Sequence, residues 1–377
     1  MRILYWPRVF WPQIGGVEVI SASFLPAMRQ RGYQFAVVAA HSSLEMPDES
    51  EWAGVPVYRF RFASALAEHD LSQVVDTTRR LAGVLRDFQP DLVHVNYWEP
   101  SLFFHRRIAR TSPAPLLVSF RGPPPERDDP RDTVFGHAMR AATWVTAVSE
   151  SALLRVRALA PDVTPRSSLL HNGLELPALA PEPLPWSPPR IVCVGRLVPE
   201  KGFDLALRAL ARLAPRFPAL RLTLVGDGPE RPRLEALTRA LGLDGAVTLL
   251  GWLPPARVPA VMNEATLVVV PSRWEGLPGV AIQAAQMARP VVATRVGGIP
   301  EIVLDGHTGV LVDQDDTAAL AAAIAVLLER PRRAAEMGQA ARRHARAAFD
   351  WQRYLDAHDA LYRRLAPATP NVGGAPC

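Results

Sequence analysis

The sequence predicts an α/β protein made of two Rossmann-like, doubly wound parallel-sheet domains that face each other across a cleft. Three observations predict this fold class. Short apolar runs rich in β-branched residues alternate with longer helical patterns in the first half of the chain. The second half repeats that rhythm, and a proline-rich stretch at 177–189 separates the halves. Such alternation is typical of parallel sheets with helices on both faces.

The expected strands follow from these apolar runs. In the first half they lie at 2–6, 35–40, 91–96, 115–120 and 144–149, with helical patterns such as 17–31 and 72–88 between them. In the second half they lie at 190–195, 220–226, 246–250, 266–271, 290–294 and 309–312.

The domain limits follow from the proline-rich stretch, because proline cannot continue a helix or a central strand. We interpret it as a linker. The prediction is a first domain at 1–180 and a second domain at 181–349. A helix with a short tail, 350–377, follows, and we expect it to return to the first domain.

Composition excludes several classes of protein. The net charge is +5 with 21% charged residues, and no apolar run reaches the roughly 20 residues of a membrane-spanning helix. The two cysteines, Cys193 and Cys377, give no disulfide or metal-ligand pattern, which favours a reducing, cytoplasmic location. The sequence has no basic run interleaved with aromatic residues, the pattern typical of nucleic-acid binding, so no nucleic-acid partner is expected. Lys201 is the only lysine.

The first candidate motif is the glycine pair Gly15 and Gly16, which follows the opening strand and precedes a helix. Glycine lets backbone N–H groups approach a phosphate or sugar at the positive end of the helix dipole. A plain turn is the alternative for this pair.

The second motif, 194–202, carries Arg196 and Lys201 on one loop between a strand and a helix. Two cations there suit the charge that develops on a diphosphate leaving group. Asp204 is expected to cap the helix that follows. The alternative is an exposed loop with two solvated charges.

The third motif, 271–285, is the strongest. A strand ends at Pro271 and a helix begins near Gly279, so the N–H groups of Gly279 and Val280 would face an anion. Glu275 in the preceding loop could accept hydrogen bonds from sugar hydroxyls, or it could merely complement the helix dipole. Gln283 lies about a turn inside the helix.

The glycine turns at 294–303 and 226–230 could serve structure or substrate contact. The pair Asp128–Asp129 lacks the isolated Asp-x-Asp form of metal-dependent sugar transferases and is interpreted as a solvated loop, so no metal is expected. The turn 171–173 is interpreted as a domain-end turn rather than the site of a catalytic histidine.

Taken in order, these motifs resemble family 4 of the retaining glycosyltransferases, a family with the two-domain GT-B fold. The resemblance is densest from 194 to 312, where the order GR…KG, GDGPE, PSxWEGLP, GGIPEIV and GxxGVLV matches the family. It implies that 1–180 is the acceptor-side domain and 181–349 the nucleotide-sugar-binding domain. It implies that Arg196 and Lys201 hold the donor diphosphate, and that Gly16 lies beside the donor from the other domain. It also implies that Glu275, the first glutamate of the E-x7-E motif, contacts the transferred sugar.

Two departures from the family pattern affect the expected site. The second motif glutamate, which grips the nucleotide ribose, is replaced by Gln283, so nucleotide binding is expected to be weaker or altered. A histidine that many members carry before a glycine is replaced by Arg121, which could bind an anionic sugar or acceptor group or be only an arginine at the edge of the cleft.

The expected function is metal-independent transfer of a sugar, with retention, from a nucleotide diphosphate sugar to a glycan, lipid-linked or small-molecule acceptor, as in polysaccharide biosynthesis. No cofactor is expected. A nucleotide-sugar epimerase and a catalytically impaired donor-binding protein are the alternatives. Peripheral attachment to the inner face of a membrane through 103–107 is a further hypothesis, and a solvated helix face is its alternative.

Overall fold

The computed structural model describes residues 1–13, 15–42, 46–67, 71–97, 100–110, 113–122, 124 and 133–366. The chain forms two compact units. The first comprises 1–148, 153–170 and the chain from 352 onward, and the second comprises 149–152 and 171–351. The main division therefore falls after Leu170, upstream of the boundary that the proline-rich stretch suggested. Asp128, Asp129 and Cys377 lie outside the described residues.

Each unit contains one sheet. In the first, the strands are β1 Arg2–Trp6, β2 Gln34–Ala40, β3 Glu49–Trp52, β4 Val55–Phe60, β5 Leu92–Val95, β6 Leu116–Phe120, β7 Trp144–Ala147 and β8 Ser167–Leu169. In the second, they are β9 Arg190–Val194, β10 Arg221–Val225, β11 Val247–Gly251, β12 Leu267–Val270, β13 Val291–Thr294 and β14 Gly309–Val312. The strand orders are β3-β4-β2-β1-β5-β6-β7-β8 and β11-β10-β9-β12-β13-β14.

Helices lie between many of these strands, and three more follow β14. They are α1 Gly16–Gln30, α2 Phe62–Ala67, α3 Leu71–Phe88, α4 Ser101–Ile108, α5 Val134–Ala141, α6 Glu150–Leu159, α7 Phe203–Leu213, α8 Arg231–Ala240, α9 Val258–Asn263, α10 Gly279–Gln286, α11 Ile299–Ile302, α12 Thr317–Leu328, α13 Pro331–Ala348 and α14 Trp351–Leu365. Short 3-10 turns lie at Pro161–Arg166, Pro199–Lys201 and Pro255–Arg257.

The predicted fold class is confirmed in both units, and every predicted strand is present within two residues of its expected ends. All strand pairings in the described sheets are parallel except that of β3 with β4. The apolar runs located these strands because strands of parallel sheets are covered on both faces and must be apolar throughout.

The second unit is built around the faces of α7 and α12. Leu207 and Leu210 of α7 are buried, and they belong to one apolar cluster with Leu320 and Ile324 of α12 and with the central strands. The carboxyl ends of β9 and β12 are adjacent in the sheet because these two strands pair. The loops that follow them, which carry the second and third motifs, therefore begin side by side.

The proline-rich stretch is not a free linker. The main-chain N–H of Glu182 donates to Asn263 Oδ1 over 3.2 Å, and Asn263 Nδ2 donates to the carbonyl of Ala180 over 2.9 Å. Arg289 Nη2 donates to the carbonyl of Glu182 over 2.6 Å. These hydrogen bonds fix the segment to the second unit. The proline-rich stretch is therefore an ordered part of that unit rather than a flexible linker.

Helix α14 packs within the first unit, although it follows the whole of the second in sequence. Tyr362 Oη lies 2.6 Å from His94 Nδ1 of β5. The ring of His358 lies 4.7 Å from that of Phe24 in α1, and the rings of Tyr33 and Tyr362 are 5.5 Å apart. An aromatic face of the helix thus completes the core beside α1 and β5.

Candidate functional site

The loop that carries Lys201 is held against the end of β12 by a glycine. Gly202 has a φ of +63°, and a Cβ at this position would lie 2.0 Å from the carbonyl oxygen of Pro271. Only glycine combines this conformation with this close approach. The contact brings the Lys201 loop beside the loop that carries Glu275.

The two loops are joined by an ion pair. Lys201 Nζ donates to Glu275 Oε1 over 2.6 Å, and the hydroxyl of Ser272 donates to the same oxygen over 2.7 Å. The Glu275 side chain is 7% exposed and the Lys201 side chain 24%. The carboxylate is therefore almost enclosed, while part of the ammonium group still meets solvent.

Ser272 is in turn fixed by the next strand. The hydroxyl of Thr294, at the end of β13, donates to the carbonyl of Ser272. Ser272 and Thr294 both lie inside the motif segments identified from sequence, but no role was predicted for either. In the sequence, each is a hydroxyl residue at the end of a predicted apolar strand, and this position could have indicated a role for it. In the structure both side chains are buried.

The glycine turn of the fourth motif braces the same loop. Gly297 has a φ of +53°, and a Cβ there would lie 1.9 Å from the carbonyl oxygen of Glu275. The N–H of Gly298 donates to the carbonyl of Gly276 over 2.8 Å. The turn therefore supports the backbone around Glu275.

Asp204 does not have the predicted capping role. The N-cap of α7 is Gly202, and Asp204 lies in the first turn, where its two oxygens accept from Arg273 Nη1 and Nη2, both over 2.9 Å. Burial acts to raise the pKa of Asp204, but the hydrogen bonds from Arg273 outweigh it and hold the pKa below its usual range. This pair locks the Glu275 loop to α7, and the local sequence around Asp204 could not reveal a partner so far along the chain.

The start of α10 has no side-chain cap, and backbone donors of a first helical turn have no partner within their own helix. Its N-cap residue, Pro278, supplies no side-chain hydrogen bond, so the N–H groups of Gly279 and Val280 belong to the open first turn. Gln283 is half-buried on the next turn. Arg196 is exposed, and in the part of the chain that the structure describes no side-chain hydrogen bond or ion pair is found for it.

Three predicted site residues belong to the first unit. Gly15 is the N-cap of α1 and Gly16 its first residue, so the glycine pair does open a helix, as predicted. Arg121 follows β6, where Nε donates to Asn96 Oδ1 and Nη2 donates to Tyr354 Oη over 3.4 Å. Burial acts to lower the pKa of Arg121, but the neighbouring tyrosines raise it above its usual value, so the guanidinium stays charged.

Two further segments singled out from sequence have structural partners. His171 Nε2 lies 2.7 Å from Glu301 Oε2, and Glu301 Oε1 accepts from the main-chain N–H of Glu150 over 2.9 Å. Both histidine and glutamate therefore tie segments of the second unit together. In the segment 103–107, Phe104 and His105 are buried, so only Phe103 and the two arginines have exposed surface.

The described part of the chain has neither a metal-ligand cluster nor a membrane-spanning helix. No group of three or more His, Cys, Asp or Glu residues there could hold a metal ion. None of its helices is long and apolar enough to cross a membrane. Burial raises the pKa of the Cys193 thiol, so this cysteine is a core residue rather than a reactive one.

Comparisons with known proteins match both halves of the chain. Residues 14–177 match the family described as Glycosyltransferase Family 4, and residues 188–330 match Glycosyl transferases group 1. A D-inositol 3-phosphate glycosyltransferase from Saccharomonospora viridis is 30% identical over 94% of this chain and 90% of its own length. The chain therefore belongs to glycosyltransferase family 4, and the family predicted from its motifs is confirmed.

Other similar proteins agree on the class. A GDP-mannose-dependent alpha-(1-6)-phosphatidylinositol monomannoside mannosyltransferase from Mycolicibacterium smegmatis is 40% identical over 44% of this chain, a segment that spans 45% of that relative. The sucrose-phosphate synthase structure from Thermosynechococcus elongatus has a TM-score of 0.85 at 22% identity, covering 98% of this chain and 100% of that one. Anabaena HepE in complex with UDP has a TM-score of 0.76 at 20% identity, covering 97% and 100%. These likenesses confirm the GT-B fold.

Proposed function

We propose that the protein transfers a sugar, with retention and without a metal ion, from a nucleotide diphosphate sugar to an acceptor hydroxyl. The observation that carries the proposal is the Lys201–Glu275 pair, held at the end of two adjacent strands. The pair places two groups together at one edge of the second sheet. The ammonium group can bind a diphosphate, and the carboxylate can accept hydrogen bonds from sugar hydroxyls. The first turn of α10, which also follows β12, adds backbone N–H donors that have no partner within the helix.

In this reaction the bond between the anomeric carbon and the phosphate oxygen breaks, and a bond to the acceptor oxygen forms on the same face. The acceptor proton passes to the departing phosphate oxygen. Lys201, Arg196 and the N–H groups of Gly279 and Val280 stabilise the charge that grows on the diphosphate. These fixed positive groups supply what a divalent cation supplies in other sugar transferases.

The remaining site residues have narrower proposed roles. Glu275 accepts hydrogen bonds from the transferred sugar, and its enclosure by Lys201 and Ser272 fixes its orientation. Gln283 contacts the nucleotide ribose through its amide, which donates as well as accepts. Gly15 and Gly16 provide a close backbone approach to the donor.

The donor and acceptor classes are proposed from the relatives. One relative is named as GDP-mannose-dependent, and HepE was crystallised with UDP, so GDP and UDP are the nucleotides to compare first. Two relatives are named for phosphate-bearing acceptors, an inositol phosphate and a phosphatidylinositol monomannoside. A phosphorylated polyol or glycolipid is accordingly the acceptor class we favour.

The test is a binding screen with UDP, GDP, ADP and TDP, run on the unaltered protein and on Lys201→Ala. Arg208→Ala is the matched control, because it removes an exposed cation from α7 of the same unit. We expect tight binding of one nucleotide, lost in Lys201→Ala and kept in Arg208→Ala. Absence of binding by any nucleotide to the folded protein would remove the proposal.

Turnover separates the remaining alternatives. A transferase consumes the nucleotide sugar only when an acceptor is supplied, whereas an epimerase converts it without one. A catalytically impaired binding protein holds the donor and does neither. Chromatography of the sugar products with and without acceptor distinguishes the three.

A further inference from the structure

Arg273, which lies in the same loop as Glu275, joins that loop to three other segments of the second unit. Its Nη1 and Nη2 donate to the two carboxylate oxygens of Asp204, both over 2.9 Å. Its Nε donates to Asp315 Oδ1 over 2.6 Å, and Nη1 also donates to the carbonyl of Pro199 over 2.9 Å. The guanidinium therefore makes four hydrogen bonds, which is close to its full donor capacity.

One of these bonds reaches the turn that carries Lys201. Pro199 is the first residue of this 3-10 turn and Lys201 is the last. The main-chain N–H of Arg273 donates to the carbonyl of Glu200, the residue between them, over 2.8 Å. Arg273 thus holds the backbone of the turn twice, once through its side chain and once through its main chain. The backbone from which the Lys201 side chain extends is fixed by these two bonds.

Arg273 also neutralises two carboxylates close to the Lys201 loop. Asp204 lies in the first turn of α7, which begins directly after that loop, and its side chain is 14% exposed. The hydrogen bonds from Asp204, and then those from Asp315, raise the pKa of Arg273 above its usual value, so the guanidinium stays charged. Without Arg273, both carboxylates would lose this cation beside a loop that is proposed to bind an anion.

We propose that Arg273 is a positioning residue for the donor site and acts through Lys201. By holding the Lys201 turn against the loop of Glu275, it keeps the ammonium group in place to receive the donor diphosphate. The inference rests on the proposed function, which assigns the diphosphate to Lys201. The guanidinium itself is directed to Asp204, Asp315 and the carbonyl of Pro199, so we expect no contact between Arg273 and the substrate.

A positioning role differs measurably from a purely structural one. If Arg273 only stabilised the fold, its loss would reduce the fraction of folded protein, and calorimetry would give a lower stoichiometry with an unaltered Kd. If Arg273 positions Lys201, the folded protein itself binds the diphosphate less tightly. The Kd then rises while the stoichiometry stays near one.

The test is calorimetry on full-length protein with UDP, GDP, ADP or TDP, whichever the screen described above selects. Arg273→Gln removes the fork and its charge. Arg295→Gln is the matched control, because Arg295 directly follows β13 of the same sheet and pairs instead with Asp305 over 2.8 Å. We expect Arg273→Gln to weaken nucleotide binding about tenfold at unchanged stoichiometry, and Arg295→Gln to change neither value. An unaltered Kd in Arg273→Gln would overturn the proposal.

Arg273→Lys separates charge from geometry. Lysine keeps the positive charge, but one ammonium group cannot replace a fork that reaches Asp204, Asp315 and the carbonyl of Pro199 together. We therefore expect the affinity for the nucleotide to stay well below that of the unaltered protein. Full recovery would mean that only the charge matters, and it would contradict the positioning role. Because this variant keeps a cation beside both carboxylates, it also provides the test if Arg273→Gln does not fold.

The turn can also be observed without a ligand. Lys201 is the only lysine of the chain, so protein labelled with 15N-lysine gives one backbone amide signal, from Lys201 itself. We expect Arg273→Gln to shift this signal and Arg295→Gln to leave it in place, with circular dichroism confirming that both variants are folded. An unchanged signal in folded Arg273→Gln would mean that the turn has not moved, and the proposal would be wrong.

Failure of this inference is distinguishable from failure of the proposed function. If the unaltered protein binds no nucleotide, the proposed function fails and the inference fails with it. If nucleotide binding is lost in Lys201→Ala but keeps its full affinity in Arg273→Gln, only the inference about Arg273 fails.

Discussion

Lys201 Nζ and Glu275 Oε1 are 2.6 Å apart, so the only lysine of the chain neutralises the carboxylate that matches the first glutamate of the family's E-x7-E motif. Both groups have proposed roles in binding the donor. Each also holds the other in place, because Glu275 is nearly enclosed and accepts from Lys201 and Ser272 together. The pair is at once a structural contact and the proposed binding site.

Removal of one partner should destabilise the second unit. Lys201→Met leaves a nearly buried carboxylate without its cation, and we expect the free energy of unfolding to fall by about 2 kcal/mol. Adding Glu275→Gln to that variant removes the unpaired charge and should recover about half of the loss. Urea unfolding followed by circular dichroism measures both. If the double variant is no more stable than Lys201→Met, the pair does not contribute in this way.

Glu275→Gln alone should separate nucleotide binding from turnover. Without the carboxylate, Lys201 is free for the diphosphate, so the affinity for the nucleotide should stay equal or increase. The sugar contact weakens, and we expect kcat to fall at least about tenfold. Calorimetry and a transfer assay measure the two quantities, with the exposed Glu336→Gln as control. A parallel loss of nucleotide affinity would show that Glu275 is needed to form the diphosphate site.

Gly202 should tolerate alanine much less well than Gly242. Both have a left-handed conformation, with φ of +63° and +68°, but a Cβ at Gly242 meets no atom within 4 Å. Gly242→Ala should cost about 1 kcal/mol, the strain common to both positions. Gly202→Ala adds the clash with Pro271 and should cost about 1–3 kcal/mol more. Equal losses in unfolding free energy would mean that the two loops are not in close contact.

The first unit should lose stability in mild acid. Burial lowers the pKa of His358 to about 3, whereas an unfolded histidine titrates near 6.5. Below pH 6.5 the unfolded chain therefore binds a proton that the folded unit excludes, and the free energy of unfolding falls as pH falls. The loss from one such histidine is about 1.4 kcal/mol per pH unit. Burial also lowers the pKa of His94 well below its usual value, which adds to the effect.

The measurement is the unfolding free energy between pH 6 and pH 4.5. His358→Phe should make its pH dependence shallower by roughly the contribution of one histidine. The exposed His307→Gln should leave the dependence as it is. If His358→Phe gives the same slope as the unaltered protein, His358 is not excluded from protonation in the folded state.

Much of the fold could be predicted because the signal was local. Strands such as β1 and β14 are largely apolar runs, and their ends match the prediction to the residue. The hairpin of β3 and β4 was missed because β3 is a polar edge strand with exposed residues and β4 contains Pro56. Strand β8, Ser167–Leu169, is too short and polar for its pattern to show.

For the candidate site, the sequence could predict which loops carry it, but not which side chains contact each other. The glycines and charges of the motifs mark the loops, and the sheet brings the loops of Lys201 and Glu275 together. The partners of those residues could not be predicted in this way. Asp204 is a residue type that often caps helices, so the sequence suggested that role. Its actual partner, Arg273, is distant in sequence, and only the folded chain brings the two together.

The position of α14 has a consequence for synthesis of the chain. Because Tyr354, His358 and Tyr362 complete the core beside α1 and β5, the first unit lacks part of its interior until α14 has been made. A nascent chain that has just released residues 1–170 exposes the surfaces of Phe24 and Tyr33 to the surrounding water. The second unit, whose sequence is nearly continuous, has no such delay. The half that is translated later can therefore reach its native state before the half that is translated first, contrary to the usual order of folding during translation.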